Sequence, residues 1–145
     1  MSREDKIQHD LVMWFSQEYP NIQDCLLMLQ NTTYSVAHGN RMKAMGLRKG
    51  APDLILICNS FILGIELKAP NSRHKKGHVL RQLNFGISNL ENRGHYYIMS
   101  SDLEFVKNII VEVLFGSMFL AKKMIKENQD MIFDKIHMSS YEVVF

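Results

Sequence analysis

The chain has 145 residues, of which 46% are hydrophobic, so it is not a disordered chain and suits a single domain over residues 1–145. Its formal net charge is only +2, so any affinity for nucleic acid must come from local clusters of basic residues. The two cysteines, Cys25 and Cys58, do not suggest a disulfide framework. The N-terminus is charged and no apolar run is long enough to span a membrane, so we expect a cytoplasmic protein without a membrane partner.

The first half of the chain predicts one helix, a strand, a short helix and a hairpin. Apolar residues recur at helical spacing over residues 4–19, where Ser2 or Asp5 can serve the N-terminus and Pro20 ends the helix. The apolar run in 24–34 predicts a first strand, and 41–47 predicts a short helix. Residues 54–58 and 61–67 predict two strands joined by the turn-like pair Asn59-Ser60.

The second half alternates between helices and strands. The polar, basic stretch 71–78 predicts a mobile loop, and a helix over 79–92 should end before Gly94. A strand follows over 95–99, then a helix with a capping box formed by Ser101 and Glu104. Residues 118–128 predict another helix, and 141–145 predict a short strand or a frayed tail. A strand, a helix and a strand between 61 and 99 imply a parallel pair, so we expect an α/β fold with a mixed sheet flanked by helices.

Three charged side chains lie on the otherwise apolar hairpin, and the pairing predicts that they meet. If Asn59-Ser60 is the loop, Asp53 falls directly opposite Glu66, where Cβ atoms are about 4.5–5.5 Å apart. Alternation puts Lys68 on the same face as Glu66. Two carboxylates that close repel unless a cation lies between them, and a hard ion such as Mg²⁺ prefers oxygen ligands of this kind. The hairpin therefore predicts a site for metal-assisted hydrolysis.

These residues belong to a wider set of motifs. The set comprises His38-Gly39-Asn40-Arg41, Gly46 with Gly50-Ala51-Pro52-Asp53, Ile65-Glu66-Leu67-Lys68, Gln82, and Glu4 with Gln8 on the first helix. In this order the motifs resemble the VRR-NUC family of the PD-(D/E)xK nuclease superfamily, from about residue 4 to about residue 114. The family usually has Asn-Gly in its first motif, so the roles of His38 and Asn40 stay open. Residues 115–145 form a C-terminal extension without a counterpart.

The resemblance implies a restriction-endonuclease-like fold with an α-β-β-β-α-β core and an extra C-terminal helix. It also implies a metal-dependent endonuclease that hydrolyses DNA and leaves 5′-phosphate and 3′-hydroxyl ends. Asp53, Glu66 and the main-chain carbonyl of Leu67 would hold Mg²⁺ or Mn²⁺, and Glu4 would reach its outer shell. Lys68 would orient or deprotonate the attacking water, and Gln82 would hold that water or Lys68. Stand-alone viral or phage members resemble Holliday-junction resolvases, which act as dimers and would work in the host-cell cytoplasm.

Basic residues bracket the predicted site. Arg41, Lys43, Arg48 and Lys49 precede Asp53, and Arg73, Lys75, Lys76 and Arg81 follow Lys68. Phosphates attract such groups, so we predict DNA contacts there; the alternative is two solvated loops. His74 and His78 have the spacing of a zinc pair, but the sequence offers no third ligand.

Two other functions and one question of assembly remain open. The chain could be a non-catalytic nucleic-acid-binding module, or a structural protein whose buried charges form a salt-bridge network. Branched, nicked and linear DNA are all possible substrates. For assembly we predict a homodimer through the apolar segments Val113-Leu114-Phe115 and Met118-Phe119-Leu120, with closure of the monomer's own core as the alternative.

Overall fold

The computed structural model describes residues 1–29 and 34–145. The strands are β1 (Leu26–Met28), β2 (Leu54–Ile57), β3 (Ile62–Leu67), β4 (Arg73–Lys75), β5 (Tyr96–Ser100) and β6 (Glu142–Val144). The helices are α1 (Arg3–Glu18), α2 (Val36–Ala44), α3 (Lys76–Asn89), α4 (Leu103–Phe115) and α5 (Met118–Met138), with 3-10 turns at Pro20–Cys25 and Glu91–Arg93. None of the helices in these two ranges combines the length and apolar character needed to cross a bilayer.

The main sheet is mixed, as predicted. Its strand order is β1–β2–β3–β5, in which β2 is antiparallel to both neighbours and β3 runs parallel to β5. The helix α3 lies between β3 and β5 in the chain, which confirms the predicted strand–helix–strand unit. The protein is therefore an α/β protein with helices packed against a mixed sheet.

Side-chain alternation divides the core between the two faces of the sheet. On β5, Ile98 joins one buried cluster while Tyr97 and Met99 join the other. The first cluster takes its helical residues from α1, α4 and the start of α5, and the second takes them from α3 and the end of α5. Leu54, Leu56, Leu63, Ile65 and Leu67 all belong to the first cluster. The intervening hairpin residues, among them Glu66, consequently face α3.

The long helix α5 covers the open edge of β5. Asn128 accepts a hydrogen bond from the Met99 N–H (3.2 Å) and donates one to the Met99 carbonyl (2.9 Å), as a neighbouring strand would. Gln129 donates to the Tyr97 carbonyl at 3.3 Å. An edge strand covered in this way cannot pair with another chain. The predicted helix 118–128 was ten residues too short, because it omitted the half of α5 that packs on the second cluster.

The prediction of a mobile loop over 71–78 was wrong. Arg73–Lys75 form β4, which pairs antiparallel with β6, and Lys76 already begins α3. Two further main-chain bonds extend this pairing, between Asn71 N–H and the Phe145 carbonyl and between Phe145 N–H and the Ser72 carbonyl. Local composition could not reveal the strand, because its partner lies about 70 residues away in the chain. Residues 141–145 accordingly contain the short strand, which was one of the two alternatives.

Three other predicted boundaries also change. The first strand is limited to β1, because Pro20 opens a 3-10 turn over Pro20–Cys25; residues 30–33 of that prediction lie outside the described ranges. The short helix starts earlier than 41, because the Ser35 hydroxyl caps it by accepting from the His38 N–H. Asp102, not Ser101, is the N-cap of α4, since its carboxylate accepts from the Phe105 N–H.

Candidate active site

The hairpin register brings Asp53 and Glu66 together. Leu54 pairs with Ile65, and the Cys58 N–H donates to the Phe61 carbonyl at 2.9 Å, so Asn59-Ser60 is the predicted two-residue loop. This register sets Asp53, the residue before β2, opposite Glu66. The Asp53 carboxylate reaches across and accepts from the Leu67 N–H at 2.9 Å, which holds its side chain at the end of β3. The predicted opposition of the two carboxylates is confirmed.

Lys68 and Gln82 lie beside these acids. The Lys68 side chain is buried; its Nζ donates to Gln82 Oε1 at 2.7 Å and lies 3.8 Å from Glu66 Oε2. Gln82 reaches this position because α3 lies very close to the sheet. A Cβ added at Gly86, one turn further along α3, would be 2.2 Å from the Tyr97 ring, so only glycine permits this approach. Of the two partners predicted for Gln82, the attacking water or Lys68, the structure shows the contact with Lys68.

The loop before Asp53 is fixed against the same helix. Gly50 has φ +86°, and a Cβ there would come within 3.3 Å of the Arg81 carbonyl oxygen. Glycine adopts this left-handed conformation without the strain that a side chain would introduce. The glycine-rich approach to Asp53 is therefore needed for close packing on α3 as well as for the turn.

Glu4 closes the group from the first turns of α1. Its side chain lines the same cleft as Asp53 and Glu66, and its Oε1 atom lies 3.3 Å from His74 Nε2 on β4. Within the described residues, Oε1 of Glu66 is buried and has no hydrogen-bond partner, and Oε1 of Glu4 is buried with only the imidazole of His74 near it. Buried carboxylate oxygens without partners are costly, which makes them candidates for holding a cation.

The carboxylates outnumber the positive charge between them. Burial raises the pKa of Glu66 well above its usual value, the Asp53 charge raises it further, and Lys68 offsets only part of this. Burial likewise raises the pKa of Glu4, with Lys68 acting in the opposite direction. The pKa of His74 falls to about 4, chiefly through burial and then through Lys68, so this imidazole is neutral at pH 7. A divalent cation would relieve the repulsion among the acids.

The residues present suit a hard divalent ion with a partly hydrated shell. Asp53 and Glu66 offer carboxylate oxygens, and the Leu67 carbonyl follows Glu66 at the end of β3. In the part of the chain that the structure describes, no three His, Cys, Asp or Glu side chains form a ready-made metal-ligand group. Magnesium usually takes one or two carboxylates and keeps several waters, so it does not require such a group, whereas structural zinc does.

A cleft of about 880 Å³ opens above the acids. Of the predicted nucleic-acid-binding residues, Arg48, Lys49 and Arg81 line it, together with Lys43. Arg41 and Arg73 do not line this cleft, although both are exposed. Lys75 and Lys76 line a neighbouring hollow of about 380 Å³, which also includes Arg81. Lys76 Nζ donates to the Ser139 carbonyl at 2.9 Å, so this side chain already has a partner within the fold.

The sequence analysis missed Phe145 as a neighbour of the site. Its ring centroid lies 5.9 Å from Lys68 Nζ and 5.7 Å from the His74 ring. The β4–β6 pairing brings the ring there, so the C-terminal extension closes one side of the lysine's surroundings. No local pattern could have predicted this contact, because it depends on a strand pair that is remote in sequence.

No protein-family model, curated protein or solved structure matches this chain. The functional interpretation therefore depends on the geometry of the cleft and on the chemistry of its side chains. The features that a functional proposal can use are the buried Glu66, the half-buried Asp53 opposite it, the buried Lys68 beside them and the rim of basic residues.

Proposed function

We propose that this chain is a metal-dependent nuclease that hydrolyses phosphodiester bonds in DNA, the activity implied by its resemblance to the VRR-NUC family. The observation that carries the proposal is the convergence of Asp53, Glu66 and Lys68 at the floor of a cleft with a basic rim. Once α2 and β4 are set aside as insertions, the chain order α1, β1, β2, β3, α3, β5 is compatible with the α-β-β-β-α-β core of a restriction-endonuclease-like fold and supports the same interpretation.

Each residue of the cleft floor has a defined task in this proposal. Asp53 and Glu66, with the Leu67 carbonyl, would hold Mg²⁺ or Mn²⁺, and Glu4 would bind water in its outer shell. The ion would supply positive charge against the phosphate and acidify a water molecule. Lys68 would orient that water or offset the charge that develops on the phosphate, with its ammonium held in place by Gln82. Arg48, Lys49 and Arg81 would bind the flanking phosphates.

A non-catalytic nucleic-acid-binding module is the second candidate, but the site favours it less. Binding alone gains nothing from two carboxylates beside the phosphates, because they repel the ligand. The buried position of Glu66, with an unpaired oxygen, has a cost that Lys68 offsets only in part and that a metal ion or a proton would relieve. Catalysis gives these groups a use, whereas binding does not.

The deciding experiment is a cleavage panel with Mn²⁺ or Mg²⁺ on branched, single-stranded and duplex DNA. Asp53→Asn and Glu66→Gln should reduce cleavage by at least about a hundredfold, since each removes a metal ligand. The control is Glu104→Gln, which changes an exposed glutamate outside the cleft and should cleave like the wild type. Normal turnover in the Asp53 or Glu66 variant would overturn the nuclease proposal, and DNA binding without any cleavage by the wild type would support the binding module.

The proposed assembly is a homodimer. Of the predicted surface, Val113 is buried and Leu114 and Met118 pack on the core, so these residues serve the monomer. Phe115, Phe119 and Leu120 remain exposed at the junction of α4 and α5. Light scattering at micromolar concentration should give twice the monomer mass, and Phe119→Glu should return it to the monomer. If the wild type is monomeric at this concentration, the homodimer proposal is wrong.

A further inference from the structure

An aromatic pair stands at the mouth of the cleft. The ring of Tyr34 stacks on that of His38, with centroids 3.8 Å apart and planes inclined by 9°. Tyr34 is nevertheless 85% exposed, so most of its surface is in contact with water. Both Tyr34 and the next two residues, Ser35 and Val36, line the cleft that contains Asp53 and Glu66.

Two hydrogen bonds from main-chain N–H groups to side chains fix this pair at the start of α2. The Tyr34 N–H donates to His38 Nδ1 at 3.4 Å, and the His38 N–H donates to the Ser35 hydroxyl at 3.0 Å. The cap therefore holds the main chain of His38, whose imidazole accepts from the Tyr34 N–H and stacks against the tyrosine ring. A ring that is already oriented loses less conformational freedom when a ligand binds to it.

The chemistry of the surroundings identifies the ligand that would extend this stack. Lys43, Arg48 and Lys49 line the same cleft and attract a phosphate backbone, while an exposed aromatic face attracts the flat face of a base. Bases inside a continuous duplex have both faces covered by their neighbours. An unpaired base, in contrast, can present a free face to a protein side chain.

We propose that the Tyr34–His38 pair stacks an unpaired base of a nucleic-acid strand whose phosphates run along the basic rim toward Asp53 and Glu66. This rests on the proposed nuclease function and specifies its substrate class: DNA with a single-stranded segment, such as a flap, a gap or an opened branch point. It also gives His38 a role, as the support that orients Tyr34.

The test measures binding in EDTA, so that the wild-type protein does not cleave. Tyr34→Ala should weaken binding to single-stranded and flap DNA by about 5- to 100-fold, which corresponds to the loss of one stacked base. Tyr34→Leu should lose nearly as much, because it keeps apolar bulk without a π face. Tyr34→Phe should bind like the wild type, and blunt duplex affinity should change less than about twofold in all three.

A second measurement reports the stack itself. A single-stranded oligonucleotide with 2-aminopurine should lose fluorescence on binding the wild type and Tyr34→Phe, but much less on binding Tyr34→Ala. The inference would be overturned if Tyr34→Ala lost equal affinity for duplex and single-stranded DNA, or kept its full affinity for single-stranded DNA. Metal-dependent cleavage by the wild type would show in either case that the nuclease proposal still holds. If the wild type binds no DNA at all, the nuclease proposal fails together with it.

Discussion

Replacing Glu66 by glutamine should make the metal-free protein more stable while it abolishes the proposed cleavage of DNA. Glu66 is 3% exposed, its Oε1 has no hydrogen-bond partner among the described residues, and the Asp53 carboxylate lies opposite. Glutamine has nearly the same shape, removes the charge and offers an amide donor to Asp53. Relieving one unsatisfied buried charged group is worth about 1–3 kcal/mol. At roughly 3–4 °C per kcal/mol for a chain of this size, the melting temperature should rise by about 3–12 °C.

The pH dependence of this gain follows from the raised pKa of Glu66. Above the usual glutamate pKa, the folded protein keeps a proton that the unfolded chain has already released. The free energy of unfolding therefore falls as pH rises from that value through the folded pKa of Glu66. His74 acts in the opposite direction between about pH 4 and its usual value, because its folded pKa is lowered to about 4. The difference between Glu66→Gln and wild type isolates the Glu66 contribution and should grow as pH rises.

Thermal unfolding in EDTA between pH 4 and pH 8, repeated with Mg²⁺ or Mn²⁺, tests this reasoning. A metal that binds only the folded protein at a hundred times its Kd adds about 2.7 kcal/mol, so it should raise the wild-type melting temperature. Glu66→Gln should gain much less, and Glu104→Gln should behave as wild type throughout. If Glu66→Gln is less stable than wild type at pH 8 in EDTA, the Glu66–Lys68 pair stabilises the fold and the structural salt-bridge alternative is favoured.

Three further substitutions test the packing around the site. Phe145→Ala should lower kcat far more than DNA affinity, because water would reach Lys68. Phe145→Leu should retain most activity. Parallel losses of kcat and DNA affinity in Phe145→Ala would contradict this. Gly86→Ala should cost about 1–3 kcal/mol by urea unfolding, since the new methyl group overlaps the Tyr97 ring, and an unchanged midpoint would show that α3 can move away at no cost. Asn128→Leu should cost about 2–4 kcal/mol by the same measurement, because it removes both partners of the β5 edge, and a loss below 1 kcal/mol would mean that water replaces them.

The hairpin was predictable because its constraints are local. Apolar alternation and a two-residue turn set the register, and the register alone puts Asp53 opposite Glu66. The order of the main helices and strands from α1 to α4, with the exception of β4, followed from the same periodicities. Helix boundaries were less accurate, since the capping side chain and not the apolar pattern decides where α2 and α4 begin.

The sequence by itself determined which charged groups share one face of the hairpin, because neighbouring strands and side-chain alternation need no information from the rest of the chain. The tertiary structure decided what surrounds them. The basic stretch after Lys68 became a strand only because β6 pairs with it, and that pairing brings Phe145 against Lys68. Gln82 reaches Lys68 because Gly86 lets α3 pack directly against the Tyr97 ring on β5. Contacts between segments distant in the chain have no local signature, because the free energy that selects them comes from burial in the assembled fold.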